Sequence, residues 1–441
     1  MIFVSKEGKV KLDNIRRLYN MKKKFINAKI YKHDDASEIL VENGKFAAIG
    51  NNLGEADETI DLQGRFVLPP YVDSHLHLDY YFTGQDDQIK NESGTLFEAI
   101  DLWNDYKKGT TKEEMKERIR QAVKDVASYG TQFIRAQTDC TDPNLTGIKA
   151  ALEVRDELKD NITIQVVAFP QNGMYSYNEE GKSGRDLVEE ALQLGADCVG
   201  GIPHNEWSAE DGSKSVKEIV RLAIKYDKLI DVHCDETDDD QARFVELLNA
   251  EAMKQGYGQS TTASHTCSFG SANDAYAFRM MGLFRQSGMN FVACPTENLF
   301  LQGRQDTYPK RRGLTRVKEF VDNDINVAFG QDSIVDLWYP AGSGNLMNIL
   351  DNGLHASQLM REEDFPRNFD LVTYNGAKLM QLQDVYGLDE GKPANFIVLD
   401  APNAFEAQRR RVECLASIRN GEYLFSKEPR VYDIELDIDR K

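Results

Sequence analysis

Val67-Leu-Pro-Pro-Tyr-Val-Asp-Ser-His-Leu-His77 is an apolar run that closes on two histidines one residue apart. In a β-strand, residues i and i+2 point the same way, so His75 and His77 can face one metal ion from the end of a single strand. Two further stretches share this layout: Leu229-Ile-Asp-Val-His-Cys-Asp-Glu236 and Val327-Ala-Phe-Gly-Gln-Asp-Ser333. The chain holds only seven histidines, and His75, His77, His233 and His265, the last in Thr262-Ala-Ser-His265, all fall where a strand would end. Scattered core histidines would not take that placement. Together with Asp332 they read as five groups converging on one mononuclear metal site.

Working outward, short apolar strand candidates recur between Val67 and Asp332, among them Phe133-Ile-Arg-Ala-Gln137, Ile162-Thr-Ile-Gln-Val-Val-Ala-Phe169, Cys198-Val-Gly-Gly-Ile202, Asn290-Phe-Val-Ala-Cys294 and Ile325-Asn-Val-Ala-Phe329. Helical patterns separate most of them. Thr111-Lys-Glu-Glu114 is a capping box ahead of Met115, Ile119, Val123 and Val126 at helical spacing, and Ser215-Val-Lys-Glu218 reads as the start of another helix. Eight strands alternating with helices predict an α/β fold, a (β/α)8 TIM-like barrel whose reactive groups sit at the C-terminal ends of the strands. Alternating segments at both ends, such as Phe25-Ile-Asn-Ala-Lys-Ile-Tyr31 and Ala394-Asn-Phe-Ile-Val-Leu-Asp400, predict a small β-sandwich domain built from the N- and C-terminal segments. The expected division is an N-terminal extension over 1–20, the sandwich over 21–66 plus 385–441, and the catalytic barrel over 67–384.

The chain is long enough, at 441 residues, for a large barrel with a satellite domain. Its net charge of −19 opposes nucleic acid and anionic membrane surfaces. The basic stretch Pro309-Lys-Arg-Arg312 reads as a solvated loop or a subunit contact. No signal-peptide layout and no apolar run near the ~20 residues of a membrane span are present, so the expected location is cytoplasmic. The six cysteines lack CxxC spacing and read as small buried hydrophobes. Gln171 follows the third strand with an amide that offers a donor and an acceptor together, suited to the lactam edge of a cyclic substrate. Trp338 and Phe169 are the expected aromatic pocket walls.

The stretches Leu68-Pro-Pro-Tyr-Val-Asp-Ser-His-Leu-His-Leu-Asp79, Ser93-Gly-Thr-Leu-Phe97, Val167-Ala-Phe-Pro-Gln171, Ile202-Pro-His204, Ile230-Asp-Val-His-Cys-Asp-Glu236, Ala263-Ser-His-Thr266, Leu301-Gln-Gly-Arg304, Asp306-Thr-Tyr-Pro-Lys-Arg-Arg-Gly313 and Trp338-Tyr-Pro340 are long and specific. Through them the chain resembles the cytosine deaminase family of the amidohydrolase superfamily, metal-dependent hydrolytic deaminases. The resemblance runs from about residue 66 to 400. It implies that His75, His77, His233 and Asp332 bind one divalent metal, Fe2+ or Zn2+, a choice that ligand chemistry alone does not make. It further implies that His265 holds the metal-activated hydroxide, that Asp332 accepts its proton, and that Glu236 shuttles protons to the ring nitrogen and the leaving ammonia. The implied partner is a small cyclic molecule, with cytosine converted to uracil and ammonia as the lead reaction, in a homo-oligomer of which a hexamer is one form.

The sequence departs from that family at the residue after Asp332, where an aspartate is usual and Ser333 stands. A small neutral serine makes room for a substituent beside the amino-bearing carbon. Gln331 and Gln137 replace histidines of close relatives, and Asp79-Tyr-Tyr-Phe82 is bulkier than usual. Alternatives to cytosine are therefore creatinine, 5-methylcytosine and isoguanine. A ring-opening amidohydrolase would carry a carboxylated lysine ending the fourth strand, where this chain has Cys198-Val-Gly-Gly-Ile-Pro-His204; a catalytically silent scaffold conflicts with the intact donor set.

Overall fold

In the computed structural model, residues 21–86 and 89–431 are described. The expected 1–20 extension and the last ten residues of the expected sandwich lie outside them. The chain divides into two compact units, one of residues 1–69 with 388–441 and one of residues 70–387.

The larger unit is the (β/α)8 barrel. Its strands are β1 (Tyr71–Leu76), β2 (Thr131–Asp139), β3 (Thr163–Phe169), β4 (Cys198–Val199), β5 (Leu229–Cys234), β6 (Thr261–His265), β7 (Asn290–Ala293) and β8 (Val327–Phe329), hydrogen-bonded in that order and parallel throughout. Every residue of β1, β2, β6, β7 and β8 is buried, as expected for strands covered on both faces. The ring closes between β1 and the chain leaving β8. There the His77 N–H donates to the Asp332 carbonyl and the Asp332 N–H to the His75 carbonyl, each at 2.8 Å. The residues expected to hold the metal thus also staple the barrel shut.

Helices wrap the strands where the apolar periodicity places them. Lys112–Ala127 is capped by Thr111 with Glu114 in a reciprocal capping box and buries Met115, Ile119, Val123 and Val126. The helix expected to open at Ser215 begins earlier, at Ala209, because the Ser208 side chain accepts from the Asp211 N–H; Ser215 lies buried within it. At the N-terminal ends of the strands, Ala377, Leu379, Met380 and Tyr386 pack against Val72, Phe133, Val292 and Ala328. The plug is pinned by polar bonds: Tyr386 OH to the Pro70 carbonyl at 2.6 Å and Gln165 Nε2 to the Met380 carbonyl at 2.8 Å.

The smaller unit holds two sheets. One is ordered Lys45–Gly50, Glu38–Glu42, Lys23–Ile26, Glu58–Asp61; the other Glu422–Ser426, Cys414–Arg419, Phe396–Leu399, Phe66–Leu68, Lys29–Ile30. Phe25 of the first meets Phe396 of the second edge to face at 4.9 Å, which makes the pair a sandwich. The run Val67–His77 is shared between the units: Phe66–Leu68 belongs to the small sheet and β1 starts at Tyr71. Pro69-Pro70 separates them, since proline offers no N–H to a strand ladder. All six cysteines are buried and unpaired. Among the described residues no helix is long and apolar enough to cross a membrane. The basic loop is internally paired rather than a free patch, with Arg311 on Asp306 at 2.7 Å and Arg312 on the Ala356 carbonyl at 2.7 Å.

Candidate active site

Register brings the strand-end groups together. Pairing of β5 with β6 sets His233 opposite Ser264 and Cys234 opposite His265. The barrel closure sets His75 and His77 against Asp332. As a result the Nε2 atoms of His75 and His77 each lie 3.2 Å from Nε2 of His233, and both lie 3.5 Å from Asp332 Oδ1. Ligand atoms about 2.1 Å from one ion at angles near 100° sit about 3.2 Å apart, so the spacing fits a single divalent metal. Asp332 and His265 hold left-handed backbone, φ 69° and 67°, which is costly for residues other than glycine and turns their side chains into the barrel mouth.

The electrostatics agree with that fit. Burial, followed by the neighbouring imidazoles, holds His75 and His233 well below the usual histidine range, and burial holds His77 at about 3. All three are therefore neutral, with lone pairs available to a metal. Burial and then the Glu236 carboxyl push Asp332 well up, a cost that a bound cation would offset. A second layer orients His75: its Nδ1 donates to Ser264 Oγ at 3.0 Å, Ser264 donates to Asp231 Oδ1 at 2.7 Å, and Arg135 Nη1 meets Asp231 Oδ2 at 3.0 Å. This chain leaves the Nε2 lone pair pointing into the cluster.

Beside the cluster lies a narrow cavity of about 320 Å³, lined by His77, Tyr80, Gln171, Glu236, Ser333 and Trp338, with Leu96, Ile202, His233, Glu297 and Asp332 completing the wall. Trp338 and Tyr80 are stacked at 4.4 Å, and Tyr80 is stacked on His77 at 4.5 Å, giving one side an aromatic face. The Tyr80 hydroxyl donates to Gln171 Oε1 at 2.8 Å, which leaves the Gln171 Nε2 donor for a ligand. Phe169, expected as a pocket wall, instead stacks on the His233 ring at 3.9 Å and is fully buried, so it backs that imidazole.

Glu236 is buried, and burial pushes its carboxyl up to about 8. Its Oε1 accepts from Asn298 Nδ2 at 3.3 Å, and the same amide reaches His265 Nδ1 at 3.2 Å. His265 also lies 3.7 Å from Asp332 Oδ2, an oxygen without another hydrogen-bond partner. Asp235, the neighbour of Glu236, is structural: it accepts from the Phe244 and Val245 N–H groups. The Gln331 amide donates to the Ser333 carbonyl at 2.9 Å and steadies the turn that carries Asp332. His204 is half-buried and lies outside the donor cluster. At the end of β4, a Cβ on Gly200 would lie 2.6 Å from the Ala168 carbonyl oxygen, so no lysine could stand there. Sequence reasoning missed Tyr80, Glu297 and Asn298; Asn298 and Glu297 ride on a seven-residue helix, Pro295–Leu301, too short to carry a periodic signal.

The chain matches the amidohydrolase family over residues 102–425. It is 43% identical to the 5-methylcytosine deaminase of Klebsiella pneumoniae, solved with 5-fluorocytosine, with a TM-score of 0.89 over 93% of this chain and 99% of that one. By sequence it is also 27% identical to the N-isopropylammelide isopropyl amidohydrolase of Pseudomonas sp. (strain ADP), over 91% of this chain and 96% of that protein. A pterin deaminase of Rhizobium rhizogenes (strain K84 / ATCC BAA-868) is 24% identical over 86% and 85% respectively. A three-imidazole and carboxylate cluster at the C-terminal mouth of the barrel, together with these likenesses, establishes that the chain belongs to the amidohydrolase family and is a hydrolase acting on C–N bonds.

Proposed function

We propose that this hydrolase is a deaminase that replaces the ring-bound amino group of a cytosine-like cyclic amidine with oxygen and releases ammonia. The observation that carries the reading is the meeting, in one cavity, of the His75, His77, His233 and Asp332 cluster with the buried acid Glu236 and the Gln171 amide. The 43% identity to a protein named for 5-methylcytosine supports the ring type. Cytosine, 5-methylcytosine, creatinine and isoguanine share the reacting unit, an amino-bearing ring carbon next to a protonatable nitrogen.

His75, His77, His233 and Asp332 would hold a divalent ion, Fe2+ or Zn2+, which would supply a water whose pKa falls from about 16 towards about 7. Asp332 Oδ2 has no competing hydrogen bond and takes the proton from the attacking water. His265, fixed by Asn298, holds that water in line. Glu236 is protonated at neutral pH, since burial raises it to about 8, and donates to the ring nitrogen as the carbon becomes tetrahedral. With Asn298 on Oε1, the transferable proton sits on Oε2. The carboxylate so formed takes up the water proton held by Asp332 and passes it to the amino group, which leaves as ammonia, and the second water proton, lost from the new hydroxyl as the carbonyl forms, restores the Glu236 acid. Gln171 Nε2 donates to the ring carbonyl, and Trp338, backed by Tyr80, forms the aromatic wall beside the substrate.

The test is ammonia release by enzyme loaded with Fe2+ or Zn2+, offered the four rings. At least one ring turning over with kcat/KM above about 10^4 M−1 s−1 is expected for a cognate substrate. Release from none of them, with metal bound, contradicts the proposal.

A further inference from the structure

The cavity wall beside Ser333 is polar despite the loss of an aspartate there. Glu297, from the first turn of the helix Pro295–Leu301, reaches the same cavity as Glu236 and is 3% exposed. The Ser333 hydroxyl, with one proton to give, faces the carboxyls of both Glu297 and Asp336. Asp336 Oδ1 accepts from the Trp338 and Tyr339 N–H groups, both at 2.9 Å, and Asp336 is not among the residues that line the cavity. Glu297 Oε2 has no hydrogen-bond partner. Among the described residues no lysine or arginine lines the cavity to satisfy it. A buried carboxyl that lines a ligand cavity with one oxygen left unpaired is a demand on the ligand.

We infer that Glu297 reads the ring position on the far side of the reacting carbon from the nitrogen that Glu236 serves, and selects rings with a nitrogen there. The inference rests on the deaminase reading above and narrows its substrate class to amino-triazines and cyclic guanidines ahead of the matching pyrimidines. The selection does not depend on where the proton resides. A ring N–H donates to the carboxylate, and a bare ring nitrogen accepts from the carboxylic acid. A C–H or a methyl group does neither, and an unpaired buried carboxyl oxygen lowers affinity about ten- to a hundredfold.

Cytosine and 5-azacytosine differ at that position by one change, C–H to N, and give the probe. The ratio of their kcat/KM values for ammonia release is measured for the metal-loaded wild type, Glu297→Leu and Glu297→Gln; comparing ratios cancels the intrinsic reactivity of each ring. The expected result is a fall of about tenfold or more in the 5-azacytosine to cytosine ratio for Glu297→Leu, with Glu297→Gln keeping most of the preference, since an amide both donates and accepts. A ratio unchanged within about twofold in a leucine variant that binds metal overturns the inference. Should the leucine variant not hold metal, inhibition of the wild type by the product rings decides: 5-azauracil must inhibit about tenfold more tightly than uracil, and equal constants overturn the inference. Ammonia from neither ring with metal-loaded wild type overturns the deaminase reading, and this inference with it.

Discussion

At the C-terminal ends of the strands, His75, His77, His233, His265, Glu236 and Asp332 are buried within a few ångströms of one another; at the N-terminal ends, Val72, Phe133, Val292 and Ala328 meet Ala377, Leu379, Met380 and Tyr386. The same strands supply both layers. In the upper layer every buried polar group raises a question of charge, and two of its residues take left-handed backbone. In the lower layer apolar packing is the rule and polar groups serve as pins. Between them, Arg135 and Asp231 pair at 3.0 Å, and the Arg135 guanidinium also donates to the Leu379 carbonyl at 2.9 Å, so one side chain bridges plug and histidine cluster. Unpaired charge gathers where chemistry occurs, and close apolar packing holds the other end.

That contrast can be broken in order of effect on turnover. His233→Ala should abolish metal binding and cut turnover by more than about a thousandfold, read by metal content and ammonia release. Ser264→Ala removes the acceptor that orients the His75 ring and should weaken metal affinity by about ten- to a hundredfold, measured by competition with a chelator. Raising pH through about 8 deprotonates Glu236, whose acid form donates to the ring; kcat/KM should be level below that pH and fall about tenfold per unit above it. Ser333→Asp adds a carboxyl beside Glu297 and Asp336 and should lower kcat/KM for 5-methylcytosine more than for cytosine by a few-fold, about the size of one poorly accommodated group. Leu379→Ala, at the opposite end, should leave kcat within about twofold while lowering stability by about 2–5 kcal/mol in thermal or denaturant unfolding. A large loss of kcat there, with folding intact, would erase the division between the two ends.

The upper layer was partly legible in the sequence for a physical reason. His75, His77, His233 and His265 end apolar strands, and a strand has a fixed period, so their direction follows from position. Asp332 could be named on the same grounds, although it lies three residues past β8 and reaches the cluster through a left-handed turn and the barrel closure. Phe169 was legible as an aromatic strand end but not as the ring behind His233, because which side of a neighbour it touches depends on the register of β3 against β4 and β5. Tyr80, Glu297 and Asn298 stand on loops or a short helix, where no period links spacing to direction. Pro69-Pro70 carried the boundary between the two units, yet the apolar run across it reads as one strand until the missing N–H groups are counted. Ser208 rather than Ser215 caps its helix because capping is decided by local backbone geometry, which composition does not encode.

The central claim is that one buried acid beside a three-histidine and aspartate metal centre carries the proton transfers of a ring deamination. The most direct measurement compares wild type with Glu236→Gln, assaying bound metal and ammonia release on the same samples. The account predicts about one divalent ion per chain in both, with turnover reduced by about a thousandfold or more in the variant. Wild-type ammonia release from a metal-replete Glu236→Gln enzyme would contradict it.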